Sequence, residues 1–205
     1  MKLTKLLERL DYKVVAGSDN IEITELVNDS RKVVPGSAFV CISGAVSDGH
    51  QYVKDVAERG AAAVIVEKDV EVPEGLTVIK VENTRYALAL MSAAYFGYPA
   101  EKLKTIGITG TKGKTTTTYM VKAILEEVGH KVGLIGTIEA IIGDKTIPSN
   151  NTTPESYTIQ KYFAQMVEAG CDCVVMEVSS QGLMLHRTQG FIFDFGIFTN
   201  IEPDH

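Results

Sequence analysis

The chain has 205 residues, 45% of them hydrophobic, with a formal net charge of −6, enough to bury one large core or two small ones. Acids outnumber bases in both halves, 14 to 11 over residues 1–100 and 12 to 9 over 101–205, and neither half carries a clustered basic face, which argues against DNA or RNA as a partner. No run approaches the roughly 18 apolar residues of a membrane span, and the N-terminal MKLTKLLERLDYK is charged throughout, so neither membrane insertion nor a signal peptide is expected and the compartment reads as cytoplasmic. Three cysteines, Cys41, Cys171 and Cys173, are too few for a disulfide framework, and with no further cysteines to complete a zinc site they read as reduced core thiols.

Leu3, Leu6, Leu7 and Leu10 have helical spacing over residues 2–11, and strand-like runs follow at 12–15, 21–27 and 38–42. Buried strands are expected at 62–67 and 77–81, with helices at 50–59 and 84–96. Gly97 and Pro99 end the last helix, and a domain boundary is placed near residue 100. The second half alternates: strand 105–109, helix 114–127, strand 132–136, a hairpin around Gly143-Asp144, helix 154–168, strand 173–178 and strand 194–199. Thr153 is expected to cap the helix at 154, with Pro154 at its first position. The pattern is that of an α/β protein built on parallel sheets, and no repeat or low-complexity segment interrupts it.

Residues 106–118, IGITGTKGKTTTT, run from an apolar strand through a glycine-rich turn into a helix. Gly110 and Gly113 suit positive φ angles that turn backbone N–H groups inward, and the helix adds its positive dipole end. A polyphosphate, ATP or GTP, would be cradled by Gly110, Thr111, Lys112, Gly113, Lys114, Thr115 and Thr116, with Lys114 on the terminal phosphates and the Thr115 hydroxyl on Mg2+. Ile108 stands where the usual eight-residue loop has its first glycine, so the loop is a variant. The Gly107, Gly110, Gly113 spacing also leaves a dinucleotide turn open, although such a site has no use for the lysine and threonine.

Strand 173–178 ends in Glu177, Val178, Ser179 and Ser180, placing a carboxylate at the edge where ligand sites of parallel sheets open; Glu177 is a candidate Mg2+ ligand opposite Thr115. Strand 194–199 leads through Thr199-Asn200 to Asp204 and His205 at the same edge, where a polar cluster converges, with His205 a candidate metal ligand or phosphate donor. The Arg187 guanidinium suits a carboxylate or phosphate of a second substrate.

The strings DSRKVVPGSAFVCISG with SDGH (29–50), GITGTKGKTTTT (107–118), NTTPES (151–156), MEVSSQGLMLHR (176–187) and FTNIEPDH (198–205) together resemble the Mur ligases of peptidoglycan synthesis, most closely the tripeptide-synthetase branch, over essentially the whole chain. The resemblance implies an N-terminal α/β domain that holds the UDP part of a UDP-N-acetylmuramoyl dipeptide through Ser30 and the Asp48-Gly49-His50 loop, followed by part of a P-loop-type ATP-binding domain. It also implies Lys114 with ATP, Thr115, Glu177 and His205 with metal, and Asn151, Thr152, Thr153, Ser179 and Arg187 with the muramoyl peptide. Such enzymes activate a carboxylate as an acyl phosphate, which the amine of a diamino acid then displaces. Lys112 stands where the family usually has Asn, and Gln181 where many members have His. The chain also stops before the family's metal-bridging lysine and C-terminal domain, so it reads as a fragment expected to be inactive alone. A D-Ala-D-Ala-adding ligase and a non-catalytic UDP-sugar or nucleotide-binding module remain as alternatives, and L-lysine is not separated from meso-diaminopimelate.

Overall fold

A computed structural model describes residues 1–44 and 47–203. The chain divides into two compact units, Met1–Tyr95 and Phe96–His205. Among the described residues no helix is long and apolar enough to cross a membrane.

In the first unit, helix α1 covers only Leu3–Leu6, shorter than the leucine spacing suggests. One turn, closed by Leu7, already buries Leu3, Leu6 and Leu7 completely or nearly so. Strand β1 is Lys13–Ala16. The expected strand at 21–27 contracts to β2, Leu26–Val27, because the Ile23 and Thr24 amides donate to Met1 O (2.7 Å) and Gly36 O (3.0 Å) rather than to a neighbouring strand. Strand β3 is Ala38–Val40; helix α2, Val53–Glu58, follows a 3-10 turn at Gly49–Tyr52. Strands β4 (Ala63–Val66) and β5 (Thr77–Lys80) precede helix α3, Thr84–Tyr95. The sheet order is β1-β5-β4-β3-β2, parallel except for β1. Period-two alternation sends Phe39, Val64, Val66 and Val78 to one face, where they pack with Val53 and Val56 of α2.

The second unit opens on Tyr98, held at φ +55 ahead of a 3-10 turn at Pro99–Lys102. Its elements are β6 (Lys104–Thr109), α4 (Lys114–Glu127), β7 (Val132–Ile135), β8 (Glu139–Ile142) and β9 (Lys145–Pro148), then α5 (Ser156–Glu168), β10 (Cys173–Glu177), α6 (Ser180–Met184) and β11 (Phe195–Phe198). The sheet order is β11-β6-β10-β7-β8-β9; the first four strands are parallel, and β8 and β9 form an antiparallel hairpin. Ile159, Phe163 and Met166 of α5 pack with Val174 and Met176 on one face, while Ile106, Ile108, Val132 and Val175 meet Val121 and Leu125 of α4 on the other. β10 therefore runs through the middle of the unit, buried along its whole length.

Helix α5 corrects one expectation. It begins at Ser156 with Glu155 in the cap position; Thr153 does not cap it. The Thr153 hydroxyl instead donates to Glu177 O (3.0 Å) and accepts from Ser179 N (2.9 Å), fixing the path of the chain as it leaves β10.

Candidate functional site

The glycine-rich loop leaves β6 at its C-terminal end and enters α4 directly. Gly110 (φ +135) and Gly113 (φ +83) adopt conformations that side chains disfavour. Gly107 serves a different purpose: it lies within β6, where a Cβ would sit 3.0 Å from the Phe193 ring. The three glycines are thus not one turn, which removes the basis of the dinucleotide reading. Open space surrounds Gly113 on the side where a Cβ would project. Lys114 curls across the loop, its Nζ donating to Gly110 O (2.7 Å) and Thr111 O (3.1 Å).

The loop's shape is fixed from β11, by residues whose role the sequence did not reveal. Asn200 Oδ1 accepts from Lys112 N (3.0 Å) and its Nδ2 donates to Lys112 O (3.1 Å). Thr199 Oγ1 also donates to Lys112 O (2.7 Å), and Thr111 N donates to Asn200 O (3.1 Å). Hence the Thr111 and Lys112 amides, expected to face a phosphate, are engaged with Asn200. The Lys112 ammonium turns outward to Glu202 (2.9 Å). A Cβ on Gly110 would approach Thr199 Oγ1 to 2.2 Å and Asn200 O to 2.8 Å, so this glycine is required by the clasp as well as by its φ.

Beside the loop, Glu177 at the end of β10 is 1% exposed. Its carboxylate accepts from Thr115 Oγ1 (2.9 Å), Thr137 N (2.9 Å) and Thr137 Oγ1 (3.0 Å). Such bonds offset the cost of burying a carboxylate. The parallel register Met176↔Ile135 brings Gly136 alongside Glu177, and a Cβ there would lie 2.5 Å from Glu177 Oε1, so glycine leaves the carboxylate its room. Thr137 was the other residue missed, a threonine just beyond a strand with no motif around it. The paired oxygens of Thr115 and Glu177 are hard donors, and their 2.9 Å separation matches the edge of an octahedron with Mg–O bonds of about 2.0–2.1 Å.

Two cavities meet at this point. One, of about 360 Å³, is lined by Gly113, Lys114, Thr115, Thr116 and Glu177. The second, of about 540 Å³, is lined by Asn151, Thr152, Thr153, Ser179, Gln181 and Arg187. Lys114, Thr137 and Thr152 border both. Ser179 caps α6 by accepting from Gly182 N (3.0 Å). Arg187 spends its terminal nitrogens on Thr153 O (2.9 Å) and Glu155 (2.7 Å), so it braces the wall as well as lining it. Asp204 and His205, the expected end of the polar cluster, lie outside the described residues.

In the first unit a cavity of about 660 Å³ is lined by Asn28, Ser30, Arg31, Ser47, Gly49 and Tyr52, among others. Asp48 and His50, expected to face it, point their side chains into the unit's own framework. Asp48 Oδ1 accepts from His50 N (3.1 Å) and lies 2.6 Å from His50 Nδ1; Lys68 donates to Oδ2 (2.6 Å). Because His50 Nε2 accepts from Glu67 N (3.1 Å), the ring proton sits on Nδ1 and is donated to Asp48.

Two family models match: "Mur ligase family, catalytic domain" over residues 22–96 and "Mur ligase middle domain" over 108–205. The chain belongs to the Mur ligase family. It is 49% identical over 205 residues to the UDP-N-acetylmuramoyl-L-alanyl-D-glutamate–2,6-diaminopimelate ligase of Clostridium perfringens, covering all of this chain and 42% of that one. A solved structure of a ligase of that name superposes over the whole chain, and over 41% of its own length, with a TM-score of 0.83 at 21% identity. A Mur ligase of Thermotoga maritima, MurF in complex with ADP, aligns over 86% of this chain and 37% of its own with a TM-score of 0.53 at 22% identity. The chain spans about 42% of the length of the curated relatives it matches.

Replacing Asn200 with Ala removes both side-chain bonds to Lys112, each worth about 1 kcal/mol. Amide exchange at Thr111 and Lys112, read by NMR or mass spectrometry, is expected to quicken on the order of tenfold or more while the core of β10 is unchanged; unaltered exchange would show that the clasp does not hold the loop. Asp48 offers a pH test. Lys68, then His50, hold its carboxyl below the usual range. A folded value below the unfolded one stabilises fully above about pH 4, and that contribution is lost as the pH falls. The urea-midpoint difference between the parent chain and Asp48→Asn should therefore shrink on acidification, and a difference that widened would contradict the assignment.

Proposed function

We propose that this chain forms the part of an ATP-dependent ligase that holds ATP and UDP-N-acetylmuramoyl-L-alanyl-D-glutamate, the whole enzyme adding 2,6-diaminopimelate through an amide bond. The observation that carries this reading is the meeting of the two cavities at Lys114, Thr137 and Thr152: a phosphate loop and a polar pocket share one wall, as phosphoryl transfer to a carboxylate requires. The relatives are diaminopimelate-adding ligases, which favours diaminopimelate over lysine and the tripeptide branch over the D-Ala-D-Ala-adding one.

In this reading unit 1 holds the UDP part of the substrate in the cavity beside Ser30 and Gly49, and unit 2 holds ATP and the peptide end. ATP supplies the phosphoryl group that activates the carboxylate as an acyl phosphate, and Mg2+ neutralises charge on it. Lys114 leaves Gly110 O and Thr111 O to hold the terminal phosphates; Thr115 and Glu177 present oxygens to the metal, with His205 as a further candidate ligand. Asn151, Thr152, Thr153, Ser179 and Arg187 line the pocket that positions the peptide. Catalysis is placement and charge neutralisation, with no covalent chemistry required of the protein. Three buried, unpaired cysteines suit a reducing compartment, and we assign the activity to the cytoplasm. Because the chain spans about 42% of its relatives' length, we infer that it binds substrates without turnover.

In a full-length version, Lys114→Ala should lower ATP-dependent ligation by about a hundredfold or more with unchanged circular dichroism; retained activity would remove the phosphate-loop assignment. Calorimetry of the 205-residue chain with the UDP-muramoyl dipeptide should give heat that Ser30→Ala weakens. Absence of heat would count against the role of unit 1, and amide product from the chain alone would overturn the expectation that it is silent.

A further inference from the structure

β10 carries chemistry at both ends. At its first residue, opposite Glu177, three metal-binding side chains converge that the ligase reading does not use. The chain reverses at the end of α4: Gly129 takes φ +94, and Gly129 N and His130 N bond back to Glu126 O and Leu125 O (both 3.0 Å). Lys131 then fastens this turn to the start of β10. Its carbonyl accepts from Asp172 N (3.0 Å) and its amide donates to Asp172 Oδ1 (3.1 Å), while its ammonium turns away to Ala169 O (2.7 Å). His130 Nδ1 is left 2.8 Å from Asp172 Oδ2, and one ligand atom from each of His130, Asp172 and Cys173 lies within 4.8 Å of the others.

We propose that His130, Asp172 and Cys173 form a binding site for a borderline-soft divalent transition metal of the Zn2+ class, with water in the fourth position. An imidazole nitrogen, a carboxylate oxygen and a thiolate sulfur are the donor types that such an ion selects, whereas Mg2+ takes oxygen alone. His130 and Asp172 are about half exposed, their side chains at 45% and 55%, which leaves an entry path and room for water, while Cys173 is buried at 3% and forms the floor. Tetrahedral coordination with bonds of about 2.0–2.1 Å puts nitrogen and oxygen about 3.3 Å apart, so the pair has to open by roughly half an ångström, a small motion for an exposed histidine in a turn. On binding, Cys173 loses its proton to solvent and the sulfur lone pair forms the metal bond, while the His130 ring proton moves from Nδ1, where it faces Asp172, to Nε2 and frees the Nδ1 lone pair for the metal. The site is about 13 Å along the strand from Glu177, at the opposite edge of the sheet from the phosphate loop.

Titration of the reduced 205-residue chain with Co2+ tests this. A thiolate-to-cobalt charge-transfer band should rise and saturate at one equivalent, be quenched by Zn2+, persist in Cys41→Ala, and disappear in Cys173→Ser. Exposed His130 can be changed without disturbing the core, so His130→Ala separates binding from misfolding: it should weaken Co2+ at least about tenfold. No band, a band that survives Cys173→Ser, or unchanged affinity in His130→Ala would overturn the proposal and leave an ordinary surface His–Asp pair.

Discussion

The candidate site depends on one buried carboxylate. Glu177 ends a strand whose residues are all enclosed, and a carboxylate there is tolerable only if hydrogen bonds replace the water it has lost. Those bonds come from two directions, and a third bond holds the backbone carbonyl. Thr115 belongs to the helix that follows the phosphate loop, Thr137 to the turn after β7, and the Glu177 carbonyl is held by Thr153 ahead of α5. Satisfying this one residue therefore fixes the relative positions of the loop, the neighbouring strand end and the wall of the second cavity. Gly136 completes the arrangement by leaving room for the carboxylate.

A second constraint acts from β11. Its ladder to β6 aligns Phe198 with Thr109, so the next residues, Thr199 and Asn200, arrive beside the loop and grip the Lys112 peptide from both its N–H and C=O sides. Grip and glycine are coupled, since any Cβ at Gly110 would collide with it. β11 is also an edge strand in the described sheet, with Phe195 and Phe198 about 60% exposed. Such an edge suits further sheet or a covering element.

Much of this was legible in the sequence because it is local. The helix at 114–127 and the parallel strands follow from periodicity, and a loop of Gly, Lys and Thr between strand and helix names its own chemistry. What stayed hidden depended on register. Thr137 and Gly136 matter only because β7 lies beside β10; Asn200 matters because β11 lies beside β6. Competition misled the reading elsewhere. Thr153 had the residue type and position of a helix cap, but two partners at the end of β10 claimed its hydroxyl. Asp48 and His50 had the look of ligand-facing polar residues, yet they bond to each other, while His50 also accepts from the Glu67 amide and Asp48 from Lys68. The leucines of α1 show the same limit: spacing described which residues are buried, but the length of the helix was set by the contacts available to its neighbours.

The central claim is that Glu177 is placed for a metal ion bound together with a polyphosphate. Calorimetric titration of ATP into the chain, with and without Mg2+, tests it most directly when repeated on Glu177→Gln, which keeps an acceptor for Thr115 but removes the charge. The account predicts that Mg2+ tightens ATP binding to the parent chain and loses most of that effect in the variant. A variant that folds and keeps the full Mg2+ enhancement would contradict it.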